Sequence, residues 1–216
     1  MPTDVKICGL KTEATLIAAL EAGADYIGLN FYPNTPRRVD VATAAKLAAI
    51  MRGRAKIVAL VVDADDALIR EIASAVSPNL FQLHGKETPE RVAAITALTG
   101  IPVMKAISVR TAEDATRALA YSEAADLILF DAKPPEGMKG VMPGGNGVAF
   151  DWRALLGVKD KVRYMLSGGL TPENVAEAIR LTGATAVDVS SGVESAPGEK
   201  DADKIRRFIA AAKSAG

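Results

Sequence analysis

Short apolar runs of four to seven residues recur eight times along the chain, and each is followed by a stretch whose apolar positions return at helical spacing. The runs read as strands at residues 5–8, 26–30, 56–62, 80–83, 103–107, 127–131, 163–166 and 186–189. Helical patterns fill residues 12–22, 41–51, 64–76, 89–98, 112–122, 172–181 and 202–213, with a shorter piece at 152–156. Punctuation agrees with this division. Thr12 precedes a helix, Thr171-Pro172-Glu173 predicts a cap with proline in the first turn, and Gly23, Gly100 and Gly183 follow helix ends. Strict strand and helix alternation predicts a parallel sheet with crossover helices. Eight units in 216 residues favour a closed (β/α)8 TIM barrel, and the open doubly wound sheet is the second choice. No linker or compositional break divides the chain, so a single domain is expected.

Composition narrows the chemistry. Hydrophobic residues make up 49% of the chain, enough for a full core, and 26 basic residues balance 26 acidic ones. A net charge of zero supplies no field for nucleic acid or an anionic membrane. Apolar runs fall well short of the ~20 residues a membrane helix requires. The N-terminus lacks a signal-peptide pattern, so a soluble cytoplasmic protein is expected. With one cysteine, Cys8, and one histidine, His84, internal disulfides are excluded and a multi-ligand His/Cys zinc site has no residues to build it.

In a barrel, the residue that ends a strand faces the mouth where active sites form. Cys8, His84 and Asp131 hold such positions, with Lys6 sharing the face of Cys8 and Gln82 that of His84. A lone cysteine is as often a small buried hydrophobe as a reactive group. Lys105, taken as inward near the end of strand five, offers a Schiff-base amine. Strands seven and eight run into Ser167-Gly168-Gly169 and Ser190-Ser191-Gly192. Paired glycine-rich loops at these two places predict a phosphate site built from backbone N–H groups and a short helix start. The loop at 132–148 carries Gly137, Gly140, Gly144, Gly145 and Gly147, a pattern suited to a substrate lid or to an ordinary surface loop. After strand two, Arg37 and Arg38 are both candidates for a carboxylate, and the residues alone do not choose between them.

Six stretches together resemble the phosphoribosylanthranilate isomerase family over essentially the whole chain. They are Lys6-Ile7-Cys8-Gly9-Leu10, Thr35-Pro36-Arg37-Arg38, Gln82-Leu83-His84-Gly85, Gly144-Gly145 with Phe150-Asp151-Trp152, Leu166-Ser167-Gly168-Gly169-Leu170, and Asp188-Val189-Ser190-Ser191-Gly192-Val193-Glu194. Thr35 stands where serine is commoner, and Pro143-Gly144-Gly145-Asn146-Gly147 departs mildly from the usual glycine-threonine-glycine pattern.

The resemblance implies an Amadori rearrangement of N-(5-phosphoribosyl)anthranilate in tryptophan biosynthesis, with no metal and no organic cofactor. It makes Asp131 the general acid and Cys8 the general base. It gives Arg37 the substrate carboxylate; His84, at a strand end, is a candidate either for a substrate contact or for a structural hydrogen bond. The phosphate goes to Gly145, Gly168, Gly169, Ser190, Ser191 and Gly192. Acting as acid asks for a raised carboxyl pKa and acting as base asks for some thiolate. Lys6 is expected to pair with Asp188, with support of the thiolate as its other possible role. The partner is a small phosphosugar, and homodimer and monomer are both open. Competing readings are a related aminoaldose isomerase, a lyase using Lys105, and a phosphate-ligand binding protein without turnover.

Overall fold

Eight parallel strands close on themselves in sequence order, β1 to β8, with helices between them. The computed structural model describes residues 2–133, 144, 145, 147 and 149–216. The strands are β1 Asp4–Cys8, β2 Tyr26–Asn30, β3 Lys56–Val61, β4 Leu80–Leu83, β5 Val103–Val109, β6 Leu127–Ala132, β7 Tyr164–Leu166 and β8 Ala186–Val189. Around them stand α1 Glu13–Glu21, α2 Val41–Met51, α3 Asp66–Val76, α4 Pro89–Thr99, α5 Ala112–Thr116, α6 Val175–Thr182 and α7 Ala202–Lys213. Pairing of β1 with β8, in register at Lys6 and Asp188, makes the closure.

Parity along each strand sorts side chains into two cores. Val58, Leu80, Met104, Ala106, Leu129, Met165 and Ala186 pack together inside the barrel. Their neighbours on the same strands, such as Ile57, Phe81, Val103, Ile107, Ile128 and Phe130, pack outward against the helices. This sorting overturns one expectation. Because Met104 and Ala106 point inward, Lys105 between them points outward, in mid-strand, since β5 continues to Val109. Its amine bonds the Gly85 carbonyl at 2.8 Å and the Glu87 carboxylate at 3.0 Å, away from the barrel mouth. The lyase reading thereby loses its amine.

Helix starts follow from short polar side chains. Asp40, Asp65, Thr88 and Asp201 each accept a bond from an N–H of the first turn, and Thr111 does so within a capping box. Gly100 and Gly183 end α4 and α6 in the left-handed conformation. Two helices differ from expectation. The helix expected over 112–122 tightens after Thr116 into a 3-10 turn, where the Arg117 guanidinium bonds the Asp114 carbonyl at 3.2 Å. That carbonyl is the acceptor an α-helix would offer to Ala118. The helix expected from 172 begins instead at Val175, because Asn174 spends its side chain on the preceding loop. A hairpin, β9 Glu194–Ala196 with β10 Glu199–Lys200, follows β8 and was not anticipated; its turn is Pro197-Gly198. Among the described residues no helix is long and apolar enough to cross a membrane.

Candidate active site

The C-terminal ends of the strands surround a cleft. Cys8, Arg37, His84, Asp131, Gly145, Gly168, Gly169, Ser190, Ser191 and Gly192 all line it, from seven separate stretches of sequence. Asn30, Gln82, Ser167 and Asp188 line it too. The expected lid falls mostly outside the described residues, Gly137 and Gly140 included, while Gly144, Gly145 and Gly147 reach the cleft.

Cys8 ends β1 with only 4% of its surface exposed. A side chain at Gly28 on β2 would place its Cβ 2.8 Å from the Cys8 sulfur and 3.2 Å from the Lys6 amine, so glycine makes room for both. Lys6 is fully buried and pairs with Asp188 at 2.9 Å, and Ser167 donates to the other Asp188 oxygen. Burial, the largest influence, pushes the Cys8 thiol up, and the ammonium groups of Lys6 and Lys200 oppose it without reversing it. Burial also pulls the Lys6 ammonium down, but Asp188 and Cys8 together more than reverse this and hold it raised. The lysine therefore does what was expected with Asp188 and faces the thiol as well.

Asp131 lies three strands away around the rim, on β6, and is 5% exposed. One carboxylate oxygen accepts from the N–H of Ala132 at 2.9 Å. The other stands 3.3 Å from Nε2 of His84, although the two are not aligned as a hydrogen bond. Gln82 meets Nδ1 of the same ring at 2.9 Å and so orients it. Nε2 of His84 and Oε1 of Gln82 are buried without a hydrogen-bond partner among the described residues, a state that favours a ligand able to supply one. A Cβ at Gly144 would come within 2.9 Å of both His84 and Asp131, so only glycine lets the chain cover this pair.

The two arginines sit differently. Arg38 is exposed, whereas Arg37 is buried and reaches the cleft. Thr35 accepts the Arg37 N–H through its hydroxyl at 3.3 Å, the role for which serine would serve as well. Glu194 accepts from Nε and Nη2 of Arg37 at 2.7 and 2.8 Å, and Gly145 accepts through its carbonyl at 3.2 Å. Burial alone would raise the Glu194 carboxyl, but Arg37 and Lys200 outweigh it and hold it down to about 2. This forked pair fixes the plane of the guanidinium.

Loops after β7 and β8 form the adjoining wall. Gly168 and Gly169 have φ of +88° and +66°, and an added Cβ would strike the backbone N of Ala132 and of Ala149, each at 2.5 Å. Asn174 ties this loop down by donating to the Gly169 carbonyl at 3.0 Å and accepting from Thr171 at 2.8 Å. After β8 a 3-10 turn covers Ser191–Val193. Ser190 donates to the Cys8 carbonyl at 3.1 Å, which joins this wall to the strand carrying the thiol.

A family model for N-(5'phosphoribosyl)anthranilate (PRA) isomerase matches residues 5–211. The chain belongs to this family. A PRA isomerase from Paramagnetospirillum magneticum is 55% identical over 213 residues, covering 99% of this chain and 98% of that one. The crystal structure of phosphoribosyl anthranilate isomerase from Thermotoga maritima superposes with a TM-score of 0.88 at 39% identity, covering 98% of this chain and 99% of that one. Another crystal structure of the enzyme, in complex with reduced 1-(o-carboxyphenylamino)-1-deoxyribulose 5-phosphate, has a TM-score of 0.86 at 37% identity, with coverage of 98% and 99%.

Within the PRA isomerase frame, some supporting residues escaped the sequence reading. Asn30 carried a usable signal, being a polar residue of inward parity at a strand end. Asn174 and Lys200 carried none, because their partners are set by loop geometry.

Proposed function

We propose that the protein acts in the cytoplasm as a phosphoribosylanthranilate isomerase, converting N-(5-phosphoribosyl)anthranilate to 1-(2-carboxyphenylamino)-1-deoxyribulose 5-phosphate. One observation carries the assignment of roles: the thiol of Cys8 and the carboxyl of Asp131 face a single cleft whose adjoining wall is the paired β7 and β8 loops. Asp131 gives a proton to the ribose ring oxygen as the anilino nitrogen lone pair closes onto C1, breaking the C1–O bond and leaving an iminium. Cys8 as thiolate takes the proton from C2, and that electron pair moves toward the nitrogen to form the enolamine. Loss of the C2 hydroxyl proton and gain of a proton at C1 give the ketone. Oxidation at C2 balances reduction at C1 within one molecule, so the chemistry calls for no redox cofactor.

Arg37 holds the anthranilate carboxylate. Gly168, Gly169, Ser190, Ser191 and Gly192 hold the phosphate, while Gly145, expected with them, stands against Arg37 at the other anchor, so the sugar is stretched between two anchors with C2 against the thiol. His84, oriented by Gln82, borders the acid. The test is loss of anthranilate-type fluorescence on adding the substrate to purified protein. Cys8→Ala and Asp131→Asn are each expected to lower kcat by roughly 10²–10⁴-fold with circular dichroism unchanged. A folded variant with near-normal kcat would remove the role assigned to that residue. Calorimetry with the reduced deoxyribulose phosphate is expected to show binding that Arg37→Ala weakens.

A further inference from the structure

The β9–β10 hairpin sends the side chains of Glu194 and Lys200 back into the molecule, and beyond its pull on the Cys8 thiol the proton transfers above give the lysine no task. Lys200 is buried, its side chain 1% exposed. Its ammonium has three N–H donors and three acceptors: the Ser190 carbonyl at 2.8 Å, the Ser190 hydroxyl at 3.1 Å and a Glu194 oxygen at 2.8 Å. Ser190 belongs to the β8 loop and bonds the Cys8 carbonyl. Glu194 grips the Arg37 guanidinium through both carboxylate oxygens and also accepts from the Gly198 N–H at 3.2 Å. The ammonium is therefore the point at which the two ends of the cleft are tied together.

The arrangement is costly for a purely structural bond. Burial pulls the Lys200 ammonium down against the attraction of Glu194, and a buried ion pair is in general a poor source of stability beside apolar side chains of similar size. What a lysine supplies, and a methionine would not, is a fixed separation between three oxygen atoms on two elements.

We propose that Lys200 is a positioning residue that sets the spacing between the Arg37 guanidinium and the Ser190 loop, so that a ligand bearing a carboxylate at one end and a phosphate at the other is gripped at both ends together. The identity of that ligand rests on the function proposed above; the coupling between the two anchors does not. Spacing matters only when both anions belong to one molecule, because separate halves can each settle in their own site.

The experiment compares ligands in the full-length protein. In Lys200→Met, affinity for the reduced deoxyribulose phosphate is expected to fall roughly tenfold or more, the usual scale for a lost charge-assisted bond. Affinities for anthranilate and for inorganic phosphate, each measured alone by competition, are expected to change by less than about threefold. KM for the substrate should rise more than kcat falls. In an Arg37→Ala background the Lys200→Met change should have little further effect, since the residue acts through that arginine. Equal losses for inorganic phosphate and for the two-anion ligand, or effects that multiply fully with Arg37→Ala, would overturn the proposal. If Lys200→Met does not fold, as judged by circular dichroism, Lys200→Gln takes its place with the same expectations. Failure of the wild-type protein to bind the reduced deoxyribulose phosphate would strike at the proposed function. Normal wild-type binding without the Lys200 and Arg37 coupling would strike at this inference alone.

Discussion

Cys8 is asked to take a proton from carbon at a place where burial works against its own ionisation. The two nearby ammonium groups, Lys6 and Lys200, moderate the shift, and the thiol still lies above its ordinary value of 9.0. At neutral pH the thiolate is then a minor form, though each thiolate present is a stronger base than an unperturbed one. The sign follows directly. Raising the pH increases the thiolate fraction, so the rate at which Cys8 is alkylated should climb through the neutral range and level off only above the ordinary thiol range, whereas kcat/KM also requires Asp131 protonated and does not report the thiol alone. A pH profile of the alkylation rate checks this, and a plateau already reached at pH 7 would show that burial does not hold the thiol up. The single cysteine lets alkylation with iodoacetamide report the same titration without interference.

At the scale of elements, the loops that end β7 and β8 depend on backbone approach that no side chain permits. A Cβ on Gly192 would overlap the carbonyl oxygen of Leu170, a backbone atom that cannot swing aside as a side-chain tip could. Gly192→Ala should therefore pry the two loops apart, at a misfit cost of about 1–3 kcal/mol. Inhibition by inorganic phosphate is the direct reading, its constant expected to rise roughly tenfold or more. An unchanged constant would mean that the β8 loop does not hold the phosphate. These loops were legible in the sequence because glycine at such close approaches is a local requirement. The β9–β10 hairpin was harder to see, although Pro197-Gly198 marks a turn. Its strands are only three and two residues long, too short for any alternation to show.

For the whole molecule, closure of the barrel rests on the β1–β8 seam, where the fully buried Lys6 faces Asp188. Breaking a buried pair by removing one partner strands the other charge, at a cost of about 3–5 kcal/mol. Asp188→Ala should lose that much stability in urea unfolding. The double change Lys6→Met with Asp188→Leu should recover much of it, because no charge is then left unpaired. If Asp188→Ala unfolds within about 1 kcal/mol of the wild type, the pair contributes little to closure.

The amino-acid order by itself determined the alternation of strands and helices, most helix boundaries, and the strand-end positions of Cys8, Asp131 and His84. Those features are written in short-range patterns: apolar periodicity, capping side chains, and glycine where the backbone must turn. Tertiary structure alone decided that Lys105 lies outside the barrel, since period-two alternation says which residues share a face but not which face is inward. It alone set Arg37 apart from Arg38, burying the one and leaving the other exposed, through a bond to Glu194 that joins positions 157 residues apart. Lys200 depended on it as well, for its task exists only once the hairpin folds back beneath Ser190 and Glu194. The same closure that brings Lys6, Asp188 and Lys200 around Cys8 is what strips the thiol of water, and so the property on which its chemistry turns arises from the assembled barrel.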